Sequence, residues 1–229
     1  MAAVKNGITL TGLFKEYRLG KTSVQALRDI NLEIRSGTFA CVAGPSGSGK
    51  TTLLNMIGLI DTPTSGTVHV AGEDIQGLPE KLRTRYRSRT LGFIFQSFNL
   101  LPVLDVFENV HLPLILHGDL SAEEKRARVM EMISAVGLEG HIRHKPFELS
   151  GGQRQRVAIA RALVTHPHIV LADEPTANLD SHTGGEVLDL MQGINSSRGT
   201  TFIFSSHDPS VMERAGRVIR LHDGAIEAA

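Results

Sequence analysis

The segment TFACVAGPSGSGKT, residues Thr38–Thr51, decides the fold of this chain. Its first six residues form a short apolar run that is typical of a buried strand. The rest, Gly44–Thr51, fits the pattern G-x-x-x-x-G-K-[ST], in which a loop between a strand and a helix turns its backbone N–H groups toward phosphate oxygens. In this pattern Lys50 reaches the β- and γ-phosphates, and the Thr51 hydroxyl ligates Mg²⁺. The predicted nucleotide-binding residues are Gly44, Pro45, Ser46, Gly47, Ser48, Gly49, Lys50, Thr51 and Thr52.

Two acidic residues end a second apolar run. Asp173 and Glu174 follow directly after Ile169–Ala172, which also has the pattern of a buried strand. Adjacent carboxylates repel each other, so a nearby cation is expected to stabilise them. Asp173 suits Mg²⁺, directly or through a water, and Glu174 suits the polarisation of an attacking water. Together with the phosphate-binding loop, this pair indicates nucleotide hydrolysis.

A second glycine-rich turn, LSGGQ at Leu149–Gln153, lies far along the chain from the phosphate-binding loop. It opens a helix, and a helix N-terminus is a site that favours anions. One nucleotide needs only one such site from one domain. Two sites of different design suggest that ATP binds between two subunits, each of which contributes a different half.

Composition restricts the class of protein. The 229 residues fit one domain, or one α/β unit with an inserted subdomain. Lys+Arg and Asp+Glu both number 24, and this balance argues against a dedicated nucleic-acid binder. The single cysteine, Cys41, excludes an intrachain disulfide and is interpreted as a small buried apolar residue. We find no signal-peptide pattern, so we expect a cytosolic chain. No stretch approaches the roughly 20 apolar residues of a spanning helix, so if the chain works at a membrane, another protein supplies the membrane part.

The order of elements predicts an α/β chain with a helical middle. Leu91–Phe95 has the pattern of a core strand that ends at Gln96, and Thr200–Ser205 has the same pattern. Between them, Ser121 starts a capping box and Ser150 begins a second helix. Asp223-Gly224 is a hairpin signal.

The motifs in this order resemble the ATP-binding-cassette (ABC) ATPase domain over nearly the whole chain. In that family an N-terminal aromatic, here Tyr17, stacks on adenine, and a glutamine, here Gln96, senses Mg²⁺ and the water. Ala177–Asp180 matches the D-loop, and His207 matches the switch histidine that contacts the γ-phosphate. Each of these three residues has a simpler alternative role. Tyr17 could pack in the sheet, Gln96 could be an ordinary polar residue at a strand end, and Asp180 could cap the helix that follows it.

The resemblance implies a P-loop NTPase with a RecA-like core, an N-terminal antiparallel β subdomain and an inserted α-helical subdomain. Residues 1–229 then form a single ABC ATPase domain, with about 1–96 and 167–229 as the core and about 97–166 as the helical subdomain. ATP and Mg²⁺ are the implied cofactors. The residues expected in catalysis are Glu174, His207, Gln96 and Lys50. Those expected to hold Mg²⁺ are Thr51, Gln96 and Asp173. Those offered to the ATP of a second copy are Ser150, Gly151, Gly152, Gln153 and Asp180.

Three short segments resemble the sequences of the lipoprotein-releasing and macrolide-exporter branch of the family. They are Leu171–Asp180, Phe107–Ile115 and Leu53–Gly58. This resemblance implies an ATP-hydrolysing homodimer at the cytoplasmic face of the membrane, paired with a separately encoded permease. A cell-division-type signalling complex without exported cargo is the alternative. Soluble cassette ATPases of DNA repair or translation usually carry a long coiled coil or two cassettes in one chain, and this sequence shows neither. The apolar segment Phe98–Leu104 is expected to form a groove for a permease helix. The alternative is that this segment simply packs within the helical insertion. Ser205-Ser206, where many relatives have threonine beside the histidine, is not expected to take part in the chemistry.

Overall fold

A computed structural model describes residues 7–20, 22–75 and 77–227. The strands are β1 (Ile8–Leu19), β2 (Thr22–Ile34), β3 (Phe39–Ala43), β4 (Ser65–Val70), β5 (Glu73–Asp74), β6 (Leu91–Ile94), β7 (Ile169–Ala172), β8 (Thr201–Ser206), β9 (Arg217–His222) and β10 (Ala225–Ile226). The helices are α1 (Lys50–Ile57), α2 (Glu80–Thr90), α3 (Val106–His111), α4 (Ala122–Ala135), α5 (Gly151–Leu163), α6 (Ser181–Arg198) and α7 (Pro209–Met212). Short 3₁₀ turns lie at Leu112–Leu116, Glu139–His141 and Pro146–Glu148.

The strands form two sheets. The first sheet has four strands, is antiparallel and has the order β2-β1-β4-β5. The second sheet has six strands in the order β10-β9-β3-β8-β7-β6. In the second sheet all pairs are parallel except the terminal β9-β10 hairpin. The predicted α/β P-loop fold with an antiparallel N-terminal sheet is therefore confirmed.

The parallel sheet is buried on both faces, as helix-covered parallel sheets are. Alternate residues of β3 show this directly, because Phe39 and Cys41 pack with the helices α3–α6, whereas Ala40 and Val42 pack with the antiparallel sheet and α1. Phe202 and Phe204 of β8 continue the helical side and are fully buried. This alternation of side chains between the two faces fixes the register in which the strands pair. The register in turn determines which residues lie next to each other at the carboxyl ends of the strands.

Most helix and turn signals read from the sequence have their predicted structure. Ser121 and Ser150 both complete capping boxes, with Glu124 and Gln153 respectively. The turn Asp223-Gly224 joins β9 to β10, with φ of 46° and 75° at its two residues. Both residues thus have the positive φ that a type I′ hairpin turn requires.

Helix α2 contains a run in which every second residue is basic. Helix α2 extends one residue beyond the basic run Lys81–Arg89 at each end. Its arginines are not all freely solvated, since Arg87 Nη1 donates to the Leu59 carbonyl at 2.8 Å and Arg89 contacts Asp119 at 3.2 Å. Among the helices of the described residues, none is both long and apolar enough to cross a membrane.

The Cys41 thiol is expected to be inert in the folded protein. Cys41 is fully buried in β3, and burial raises the pKa of this thiol to about 11. Only the thiolate reacts with disulfide reagents, so at pH 8 both access and ionisation oppose the reaction. We expect DTNB to label the native chain only at the rate of unfolding, and one thiol per chain to react at once in guanidinium chloride. Rapid labelling of the native chain would contradict the buried strand assignment.

Candidate functional site

A cavity of about 560 Å³ lies at the carboxyl ends of the parallel strands, where α/β proteins bind their ligands. It brings together residues that are distant in the sequence. They are Val24, Gln25, Ala26, Pro45, Ser46, Gly47, Gly49, Lys50, Thr51, Thr52, Gln96, Asp173, Glu174 and His207. Most of the predicted cofactor and catalytic residues therefore share one site, which the antiparallel sheet borders through Val24–Ala26.

The phosphate-binding loop joins β3 to α1, as its pattern predicts. Gly49 precedes the helix with φ of 103°, and a Cβ at this position would lie 2.5 Å from the Ala26 carbonyl oxygen, so only glycine fits. Lys50 is almost fully buried, and its Nζ donates to the carbonyls of Gly44 at 2.8 Å and Pro45 at 2.9 Å. The loop thus holds a buried ammonium beside the first-turn N–H groups of α1, which is an arrangement suited to a phosphate chain.

The acid pair follows β7 and faces the loop. The Thr51 hydroxyl donates to Asp173, 2.9 Å from Oδ2 and 3.2 Å from Oδ1. A hydroxyl and a carboxylate are oxygen donors of the kind that Mg²⁺ takes, usually with waters and substrate phosphates completing its shell. These residues therefore fit the magnesium ion that the sequence implies.

Glu174 contacts the predicted switch histidine. His207 Nδ1 lies 3.2 Å from Glu174 Oε1, and the histidine is well exposed while the carboxylate is largely covered. Glu174 has φ of 45°, which is an uncommon conformation for a residue with a side chain. The carboxylate and imidazole thus form a pair at the cavity wall that can orient a water.

Ser205 is a site residue that the sequence interpretation missed. Its hydroxyl is fully buried, donates to Asp173 Oδ1 at 2.6 Å and accepts from the Glu174 N–H at 2.9 Å. The structure therefore places Ser205 against both acids of the site, a position that the sequence did not indicate. Parallel pairing of β7 with β8 places this residue beside the acids, and only that register could have revealed it.

Gln96 and Tyr17 lie at two sides of the site. Gln96 is exposed in the cavity, and its main-chain carbonyl accepts from Asn178 Nδ2 at 2.8 Å, which ties it to the D-loop. The Tyr17 hydroxyl donates to Asp61 Oδ2 at 2.8 Å, and Lys15 Nζ lies 4.7 Å from the ring centroid. Burial and the neighbouring Asp61 carboxylate raise the pKa of Tyr17. Tyr17 is anchored in the antiparallel sheet outside the cavity lining, so its stacking on adenine stays a prediction.

The LSGGQ turn lies outside this cavity. Ser150 caps α5 by accepting from the Gln153 N–H at 3.2 Å, and Gln153 Oε1 accepts from the Ser150 N–H at 2.9 Å. Gly152 is buried, and a Cβ there would lie 2.4 Å from Thr183 Cγ2. Ser150 itself is exposed and does not line the cavity, so the N-terminus of α5 lies at the surface outside this chain's own nucleotide site.

Asp180 caps the helix that follows the D-loop. Its side chain accepts from the Thr183 N–H at 3.0 Å, and this bond lowers the pKa of Asp180. The helix-cap alternative is thus confirmed, while a contact with a second copy stays a prediction.

An apolar groove of about 340 Å³ lies between α2, β6 and the start of the helical middle. Its rim includes Leu116, which is 69% exposed. Arg161 closes one side by donating to the carbonyls of Phe98 and Asn99 at 2.7 and 2.6 Å. The predicted groove segment Phe98–Leu104 contributes only Asn99 to this lining. Leu100 packs on the core, whereas Val103 is 73% exposed.

Comparisons with known proteins agree with this geometry. A family model described as ABC transporter matches residues 27–177. The lipoprotein-releasing system ATP-binding protein LolD of Legionella pneumophila (strain Lens) is 44% identical over 97% of this chain and 99% of its own length. The macrolide export ATP-binding/permease protein MacB of Syntrophobacter fumaroxidans is 47% identical over 96% of this chain, which spans only 31% of that protein. A dimeric structure of the cassette MJ0796 in a post-hydrolysis state, bound to ADP and Pi, is 44% identical, with a TM-score of 0.88 over 96% of this chain and 97% of that one.

Proposed function

The chain belongs to the ABC transporter family and is an ATPase of the lipoprotein-releasing and macrolide-exporter type, and from that premise we propose that it powers a separate permease through ATP-driven dimerisation. The observation that carries this proposal is the division of the site. The lysine, acids and histidine share one cavity, while Ser150 at the N-terminus of α5 is exposed and does not line that cavity. The LSGGQ turn therefore suits the ATP of a second copy.

Hydrolysis in this arrangement depends on positioning and electrostatics, with little covalent chemistry. Lys50 releases its loop carbonyls to bind the β- and γ-phosphates. Glu174 orients and deprotonates the water, and His207, 3.2 Å from its carboxylate, holds the γ-phosphate side of the site. Thr51, Asp173 and Gln96 would hold a magnesium ion, which would neutralise the developing phosphate charge.

The second copy completes the site. In this proposal the backbone N–H groups at Ser150, Gly151 and Gly152 of one copy point at the γ-phosphate held by the other, with Gln153 and Asp180 beside them. Anions are stabilised at a helix N-terminus, so the closed dimer exists only with ATP. Hydrolysis separates the copies, and this motion is the output.

The transfer of that motion to the membrane uses the groove. We propose the division into a core of about 1–96 and 167–229 and a helical part of about 97–166, with the groove at their junction. A concave apolar surface with exposed aliphatic side chains at its rim is suited to an amphipathic helix. The permease helix is the proposed occupant, at the cytoplasmic face of the membrane. A signalling complex of the cell-division type would use the same surfaces without moving cargo.

Substitution of Leu116 tests the permease partner. Burial of an unpaired arginine in an apolar interface costs several kcal/mol, so Leu116→Arg is expected to weaken permease binding more than about a hundredfold. The measurement is co-purification, in detergent, with the permease that the wild-type chain retains. Leu82→Arg is the matched control, because Leu82 is 48% exposed on α2 but does not line the groove. Equal co-purification of both variants would contradict the proposed docking surface.

A further inference from the structure

One buried hydroxyl lies behind the two acids of the site. Ser205 on β8 donates to Asp173 Oδ1 and accepts from the Glu174 N–H, so a single side chain contacts both acids. We propose that Ser205 is a positioning residue for ATP hydrolysis, which holds the Asp173 carboxylate and the Glu174 backbone in their working geometry. This inference rests on the proposed roles of Asp173 and Glu174.

The first half of the argument concerns the backbone of Glu174. Its φ of 45° is a left-handed conformation that costs free energy in a residue with a side chain. The hydrogen bond from its N–H to Ser205 offsets part of that cost, and it satisfies a backbone donor at the end of a buried strand. With this backbone conformation, the Glu174 carboxylate reaches His207 at 3.2 Å. Ser205 thereby aims the residue that orients the water.

The second half concerns the carboxylate of Asp173. Ser205 engages Oδ1 at 2.6 Å, whereas the closer oxygen to the Thr51 hydroxyl is Oδ2 at 2.9 Å. Two hydroxyls on opposite oxygens fix the rotation of the carboxylate before any metal binds. Groups that orient metal ligands in this way typically change metal affinity or activity about 10–100-fold when removed.

The burial of Ser205 leaves no solvent access by which a water could replace this hydroxyl. Ser205 has 0% exposure, and the parallel register of Leu171 with Ile203 and Ala172 with Phe204 packs β8 closely along β7. Loss of the hydroxyl therefore leaves the Glu174 N–H without its acceptor. The effect is expected in the reaction and in metal binding rather than in packing.

The sharpest test compares Ser205→Thr with Ser205→Val, which have the same shape and differ by one hydroxyl. Ser205→Val is expected to lower kcat about 10–100-fold and to raise the Mg²⁺ concentration for half-maximal rate, with KM for ATP changed little. Ser205→Thr is expected to retain most of both. A readout independent of turnover is Mn²⁺ binding in the presence of the non-hydrolysable analogue AMP-PNP, measured by EPR, which Ser205→Val alone should weaken.

Thr201→Val controls for a purely structural effect. Thr201 lies at the other end of β8, is 1% exposed, and its hydroxyl also accepts a backbone N–H, that of Gly37 at 2.9 Å. This variant is expected to lose stability while its kcat and Mn²⁺ affinity stay at the wild-type level. The proposal is overturned if Ser205→Val and Ser205→Thr have equal kcat and Mn²⁺ affinity. Wild-type turnover in Glu174→Gln is a separate failure, which removes the proposed role of Glu174 and with it the premise of this inference.

Discussion

Glu174→Gln is expected to abolish most ATP hydrolysis while ATP binding persists. The substitution keeps the shape of the side chain and its distance to His207, but removes the charge that accepts a proton from water. General-base catalysis contributes about 10²–10⁴-fold, so turnover should fall within that range. Lys50 and the loop backbone are unchanged, so the dissociation constant for ATP should stay close to the wild-type value.

The same variant should accumulate a dimer. If hydrolysis is what separates the two copies, its loss traps the closed state, and size-exclusion chromatography with light scattering should show a dimer only when ATP is present. Glu131→Gln serves as the control, because Glu131 is an exposed carboxylate that pairs with Arg198 at 2.8 Å, outside the cavity. Retained turnover in Glu174→Gln would sink the assignment of this residue as the base.

Local patterns in the sequence were sufficient for much of the fold. The strand, loop and helix around Gly44–Thr51 follow from an apolar run, glycines and a lysine that are adjacent in the chain. The same holds for the capping boxes at Ser121 and Ser150, and for the turn at Asp223-Gly224, because each depends on residues within one helical turn or one hairpin. These features could be predicted since their causes are local.

Features that depend on strand register could not be predicted in this way. Ser205 stands in an apolar run and has no local signal for function, and its contacts with Asp173 and Glu174 appear only when β8 is laid beside β7. The anchoring of Tyr17 by Asp61 likewise joins residues 44 positions apart, between the antiparallel sheet and the segment after α1. In both cases a polar side chain acquires its partner through tertiary pairing, which no periodicity in a single sequence reveals.

Ser150→Asp tests whether two copies share each ATP. Ser150 is the N-cap of α5, and aspartate caps helices as well as serine does, so the folded chain should keep its unfolding midpoint. Ser150 does not line the cavity of its own chain, so the affinity of the monomer for ATP should not change. In the proposed dimer, however, the new carboxylate faces the γ-phosphate held by the other copy.

The expected size of this effect follows from electrostatics. Two like unit charges about 4 Å apart repel by about 4 kcal/mol at an effective dielectric constant of about 20, which corresponds to roughly a thousandfold loss. Hydrolysis should fall by that order, and a variant that combines Ser150→Asp with Glu174→Gln should form no dimer with ATP. Ser150→Asn is the matched control, because asparagine also caps the helix but carries no charge. If Ser150→Asp hydrolyses ATP as fast as Ser150→Asn, the LSGGQ turn does not face a phosphate and the shared site is wrong. If instead hydrolysis collapses in Ser150→Asp but not in Ser150→Asn, while stability and ATP affinity are unchanged in both, then the cause is the new charge, which faces the nucleotide of the second copy.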